Sequence, residues 1–177
     1  EERLLSLLAL RDLHAEHGHL QEIILQNFVP KAGTKMAEVP APPFEELLWT
    51  IAMARHVFGA AMSLQAPPNL NTGRLEAIIA AGCNDWGGVS PVTVDHVNPE
   101  SPWPQLDSLA AQTRAAGKTL VPRLTVYPHY IEKRAEWLHP GIIASVLKHA
   151  DASGLARTDD WSPGAGLEPP PVADAPA

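Results

Sequence analysis

The chain has 177 residues, 45% of them hydrophobic, enough to bury one substantial core. Its 13 basic and 20 acidic side chains leave a net charge of −7, which argues against nucleic acid or an anionic membrane surface as the main partner. No apolar run reaches the roughly 18 residues a membrane helix needs, and the single cysteine, Cys83, excludes an internal disulfide and fits a reducing cytoplasm.

The chain opens on Glu1-Glu2, already inside a helical pattern, with no initiating Met and no signal-peptide pattern. It reads as a piece of a longer protein. Leu4, Leu7 and Leu8 share one face of a helix over 2–17, which Gly18 ends. Glu22 to Gln26 reads as a mostly buried strand, followed by a long loop from Asn27 to Pro43. Leu47, Ile51, Ala54 and Phe58 repeat at helical spacing over 44–58, and Met62 to Gln65 is the next strand. A helix over 73–81 stops at Gly82, and a third strand, weak in propensity, is expected over 84–89. A loop from Ser90 to Pro104 leads to a helix over 105–116. Thr119 to Val126 reads as a fourth strand, which Pro122 restricts to an edge or irregular position. Helices over about 129–138 and 140–150 follow. Residues 1–157 are taken as the folded portion and 158–177 as a Pro/Ala-rich linker or tail, many of the 18 prolines falling there.

Alternation of this kind implies an α/β fold with a parallel sheet covered by helices. Helix-to-strand joints are short and built around a glycine, whereas the first three strand-to-helix joints are long and polar. In barrels and open α/β sheets the ligand sits where strands end and helices begin. The pocket is therefore expected at 27–42, 66–72 and 87–104. Three or four strands cannot close a barrel, so the chain is read as the last part of a (β/α) TIM-type barrel.

Three strand tips carry the candidate ligand contacts. At Asn84, Asp85, Gly87 and Gly88, the glycines let backbone approach a ligand and the polar side chains hold it. Alternatively, Asn84 and Asp85 only bond their own turn. In Asn27-Phe28-Val29-Pro30-Lys31-Ala32-Gly33-Thr34, Lys31 and Thr34 either meet an anionic or hydroxylated ligand or are plain surface. At the third tip, two prolines stiffen the chain between Gln65 and Asn69 and fix their directions, or serve only as a rigid connection. His14, His17 and His19 resemble a metal site only superficially, and no metal ligand is assigned. His96 and His129 lie on the loop side of strands, as acid/base groups or ordinary exposed histidines. No phosphate-loop, dinucleotide or nucleophile-elbow signature is present.

The runs QEIILQNFVPKAGTKM, IAMARHVFGAAMSLQAPPNLN and GCNDWGGVSPVTVDHVNPESPWP resemble the C-terminal part of the radical S-adenosylmethionine synthases of 7,8-didemethyl-8-hydroxy-5-deazariboflavin (FO). The resemblance covers about residues 1–157 and is most specific over 84–104. A looser pattern, including Ile51, Ala52, Ala54 and Arg55, is shared with biotin synthase and its radical relatives. The resemblance implies a radical S-adenosylmethionine barrel with a 4Fe-4S cluster and S-adenosylmethionine. It also implies a lyase reaction on 5-amino-5-(4-hydroxybenzyl)-6-(D-ribitylimino)-5,6-dihydrouracil that releases ammonia, in biosynthesis of the deazaflavin coenzyme. Gln26, Asn27, Gln65, Asn69 and Asn84 would meet its hydroxyls and uracil edges, and Trp86 or Trp103 an aromatic ring.

The cluster motif Cys-x3-Cys-x2-Cys is absent, so no cluster ligand is assigned and the 177 residues alone are expected to be inactive. The implied partners are a missing N-terminal barrel half and a fused or separate hydroxybenzyl-transferring radical enzyme; the implied location is the cytoplasm. A biotin-synthase-like or menaquinone-pathway enzyme, or a barrel remnant that only binds a ribityl-pyrimidine, remain the other readings.

Overall fold

The computed structural model describes residues 1–90 and 92–158, which divide into two compact units at Leu120/Val121. In the first unit, α1 (Glu2–His17), α2 (Phe44–Phe58), α3 (Leu75–Ala81) and α4 (Leu106–Ala115) surround a short parallel sheet of β1 (Glu22–Ile24) and β2 (Ser63–Gln65). The register pairs Glu22 with Ser63, Ile23 with Leu64 and Ile24 with Gln65. One further bond, Leu25 N–H to Gln65 O at 2.8 Å, carries the pairing past the last regular residue. Helix α1 packs on α2, α2 on α3, and α3 on α4.

Period-two alternation sorts the strands. Ile23, Leu25, Leu64 and Ala66 point into the helices with Ile51, Ala54, Ile78 and Leu109, forming the core of this unit. Burial of one such side chain contributes roughly 1.5–3 kcal/mol. Ile24, Gln26, Ser63 and Gln65 face the other way, and Ile24 is 53% exposed. The helices end where the glycines predict. Gly18 lies at φ 66° and donates to His14 O, and Gly82 lies at φ 119° and donates to Ile79 O.

The third strand contracts to one bridge, between Gln65 and Asp85. Asn84 and Asp85 both donate to Leu64 O at 3.1 Å, and Ala66 donates to Asp85 O at 3.3 Å. Gly87 then turns to φ 72°, out of the extended region, and the ladder stops. What the structure establishes is thus a helix-rich α/β unit with a small parallel sheet.

The second unit contains α5 (Pro128–Glu132), α6 (Arg134–Trp137) and α7 (Pro140–His149) around Tyr127, Tyr130, Ile131 and Ala150. Residues 119–126 form no strand. Pro122 has no N–H to give a ladder, and its carbonyl instead accepts from Ala156 N at 3.2 Å. The single helix expected over 129–138 is two, because Lys133 at ψ 32° leaves the helical well. Beyond Thr158, the expected tail lies outside the described residues.

Candidate functional site

The strand ends β1 and β2 and the Trp86 turn border a cleft of about 290 Å³ within the first unit. Its walls include Ile24, Gln26, Gln65, Trp86, Gly88, Asp95, Asn98 and Trp103. It lies at the carboxyl ends of the parallel strands and draws on the expected segments 66–72 and 87–104, but no residue of the expected segment 27–42 lines it. A larger depression of about 720 Å³ lies by Phe44, Arg74 and Ala80, away from the strand tips. Its lining also includes Glu45 and Glu76, and the Arg74 guanidinium stacks on Phe44 at 4.8 Å.

The eight candidate residues separate into two groups. Gln26, Gln65 and Gly88 line the cleft, and neither glutamine amide has a hydrogen-bond partner among the described residues. Gln65 lies directly over Gly87, where a Cβ would come within 2.1 Å of its Nε2. Glycine at that position is what lets the Gln65 side chain take its course.

The other group holds the frame. Asn27 and Asn71 exchange their amides, at 2.9 and 3.0 Å, and Asn71 also donates to Pro67 O. This clamps the end of β1 to the Pro67–Asn71 connection. Asn84 Oδ1 accepts from Leu64 N at 2.8 Å, extending the ladder with a side chain. Asp85 Oδ1 accepts from Gly87 N at 2.6 Å and shapes the turn. Asn69, 4% exposed, donates from Nδ2 to Asp95 Oδ2 and Ser101 O.

Asp95 and Asn98 are absent from the sequence-based set, although both line the cleft. Asp95 Oδ1 accepts from the N–H groups of Val97 and Asn98, and its Oδ2 from the amides of Asn69 and Asn98. The Asn98 side chain foremost, with the backbone N–H groups and Asn69, holds the Asp95 carboxyl down to about 2. Asp-x-x-Asn was the signal available in the sequence: an Asp that accepts from the N–H groups two and three residues on orders a loop.

Lys31 Nζ pairs with Glu100 Oε1, joining the 27–43 and 90–104 loops, and this contact holds Glu100 below its usual carboxylate range. Thr34 bonds the Lys31 carbonyl within its own turn. Trp86 is buried, donating from its indole to Thr113 Oγ1 at 3.2 Å, whereas Trp103 is half-buried at the cleft. His96 is exposed and does not line the cleft; His129 belongs to the second unit. His14 Nδ1 accepts from Leu20 N at 3.2 Å.

Arg55 carries the remaining positioning work. Its guanidinium donates to Gly82 O at 2.8 and 2.9 Å, to Met62 O at 2.8 Å and to Gly59 O. It thus ties the ends of α2 and α3 to the start of β2, and burial lowers its pKa.

The donor set bears directly on cluster chemistry. Cys83 is 6% exposed, and its Sγ lies 3.2 Å from the carbonyls of Leu64 and Asp85. Burial pushes the thiol up to about 11, so it is held protonated, which an iron ligand is not. No group of three or more His, Cys, Asp or Glu residues placed to hold a metal occurs among the described residues. These residues do not fit an iron-sulfur cluster. No helix among them is long and apolar enough to cross a membrane.

No family model and no solved structure matches the chain. Curated proteins do. The chain is 49% identical over 160 residues to an FO synthase of Streptomyces coelicolor, a match covering 90% of the chain and 18% of that protein. It is 51% identical over 158 residues to the FO synthase of Mycobacterium tuberculosis, covering 88% of the chain and 18% of the relative. Against the 7,8-didemethyl-8-hydroxy-5-deazariboflavin synthase of Methanopyrus kandleri the identity is 43% over 157 residues, 89% of the chain and 46% of that protein. The chain therefore spans less than half the length of each of these relatives. Over about nine-tenths of its own length it is homologous to a segment of the FO synthase family, the family its motifs resemble.

Proposed function

We propose that the chain supplies the substrate-facing strand ends of an enzyme that forms the deazaflavin FO, in biosynthesis of the deazaflavin coenzyme. The observation that carries this reading is the cleft at the carboxyl ends of the strands, where Gln26 and Gln65 present amides that have no hydrogen-bond partner among the described residues, beside Trp103. It is joined to 43–52% identity with FO synthases. An amide offers a donor and an acceptor at once, which suits uracil edges and hydroxyls, and a half-buried indole suits a phenol ring.

In this reading the substrate is 5-amino-5-(4-hydroxybenzyl)-6-(D-ribitylimino)-5,6-dihydrouracil, and ring closure with release of ammonia makes the enzyme a carbon-nitrogen lyase. Residues of this chain bind and orient that molecule. S-adenosylmethionine and a 4Fe-4S cluster belong to the reading through the family, with cluster ligands supplied from outside the described residues. The rest of a radical S-adenosylmethionine barrel, a hydroxybenzyl-transferring partner and a cytoplasmic location complete it. The 177 residues alone should be inactive.

The test is anaerobic incubation of the full-length protein carrying this chain, after cluster reconstitution, with S-adenosylmethionine, a reductant and the hydroxybenzyl intermediate. FO fluorescence with equivalent deoxyadenosine supports the proposal. Substrate binding without either product would leave only a ribityl-pyrimidine-binding role.

A further inference from the structure

One carboxylate oxygen organises two amides at the cleft. Asp95 Oδ2 accepts from Asn69 Nδ2 at 2.9 Å and from Asn98 Nδ2 at 3.1 Å. A carboxylate with this many N–H partners only accepts, so each amide must turn its nitrogen towards it and its oxygen away. The consequence differs at the two residues. Asn69 Oδ1 is buried and has no partner. Asn98 is equally enclosed, at 4% exposure, but it lines the cleft, and its Oδ1 has no partner among the described residues. Of the two oxygens only that of Asn69 is sealed from solvent; the Asn98 oxygen belongs to a residue on the cleft wall. The arrangement is over-determined, since the N–H groups of Val97 and Asn98 also hold Asp95. With its nitrogen committed to Asp95, Asn98 is left with Oδ1 as the acceptor it can offer a ligand at the cleft wall.

The surroundings define the donor. All four lone-pair directions of Asp95 are already taken, two at each oxygen, so it has no free acceptor direction to offer a ligand donor. The other polar groups on the wall, Gln26 and Gln65, are neutral amides that both give and take hydrogen bonds. Neutral amides beside a lone acceptor match a chain of hydroxyls, each of which donates once and accepts.

We propose that Asn98, aimed by Asp95, is a specificity-determining residue whose side-chain oxygen accepts a hydrogen bond from a hydroxyl of a polyhydroxylated ligand in the cleft. This rests on the functional reading above for the identity of the ligand. Within that reading, hydroxyls have two sources: the ribityl chain of the pyrimidine and the ribose of S-adenosylmethionine.

The experiment compares binding by calorimetry to full-length wild type, N98A and the isosteric N98L. The probes are ribitylaminouracil, the same diaminouracil without its ribityl chain, and S-adenosylmethionine; thermal melts of each variant run alongside. Loss of one neutral hydrogen bond is expected to weaken ribitylaminouracil roughly tenfold, leaving the chain-less uracil and S-adenosylmethionine unchanged. A loss confined to S-adenosylmethionine would support the same contact with ribose as its source. Equal affinities for all three probes in wild type and a folded variant would overturn the proposal, as would a uniform loss that includes the chain-less uracil. Should neither variant fold, a wild-type crystal structure with ribitylaminouracil and S-adenosylmethionine decides. A ligand hydroxyl within about 3.2 Å of Asn98 Oδ1 supports the contact, and its absence refutes it. Failure of wild type to make FO would sink the functional reading while leaving these binding comparisons intact.

Discussion

The side-chain amide of Gln65 rests on Gly87 so closely that a Cβ there would lie 2.1 Å from Nε2 and 2.5 Å from Cδ. Gly87 also sits at φ 72°, where L-residues are strained. Sequence position alone joins neither fact to Gln65, which lies 22 residues earlier on β2. The cleft-facing direction of that glutamine thus depends on a missing side chain in the neighbouring turn.

Gly87→Ala should accordingly cost stability by about 1–2 kcal/mol from backbone strain alone, and should displace Gln65. A Cβ added at Gly88 would meet nothing within 4 Å, and the φ there is not positive, so Gly88→Ala should fold with wild-type stability. Denaturant midpoints of the two variants check this; equal stability would show that the turn relaxes around the added methyl.

Arg55→Ala removes donors from the carbonyls of Gly59, Met62 and Gly82 together. Charged hydrogen bonds of this kind contribute about 1.5–3 kcal/mol each in favourable settings. A net loss of roughly 2–4 kcal/mol is expected after partial replacement by water. Arg55→Lys should recover little, because one ammonium cannot reproduce the planar fork. Full recovery by Lys in urea unfolding would contradict the role assigned to the guanidinium.

Acid should loosen the cleft wall first. The Asp95 carboxyl is held down to about 2 in the folded chain, below its ordinary value near 4. Its contribution is therefore complete above about pH 4 and is lost as pH falls through that range towards 2. Glu100, lowered by Lys31, acts in the same direction. Trp103 fluorescence, isolated by replacing the other tryptophans with Phe, should change in that window, and Asp95→Asn should remove most of the pH response. An unchanged profile in Asp95→Asn would place the transition elsewhere.

Cys83 should be nearly inert in the folded chain. Burial pushes its thiol up to about 11, and its Sγ–H is directed at the Leu64 and Asp85 carbonyls. At pH 8 iodoacetamide should label it slowly in buffer and rapidly in denaturant, as quantified by mass spectrometry. Fast labelling of the native chain would mean that the sheet opens at this point.

Residue order was enough for the parts of this protein governed by local chemistry. Apolar spacing at Leu47, Ile51, Ala54 and Phe58 fixes α2, and Gly18, Gly59 and Gly82 fix helix ends, because 3.6-residue periodicity and glycine caps act within a few residues. The three runs over 21–36, 51–71 and 82–104 likewise pointed together to the FO synthase family. Long-range packing settled the rest. It shortened the third strand to one bridge at Asp85 and left residues 119–126 without a sheet partner, because pairing depends on which backbone lies alongside. It also divided the polar residues: Asn27, Asn84 and Asp85 satisfy backbone or partner amides, whereas Gln26, Gln65 and Asn98 turn to the cleft. An amide carries the same donors and acceptors in either role, and only the positions of its neighbours determine which of them are already taken.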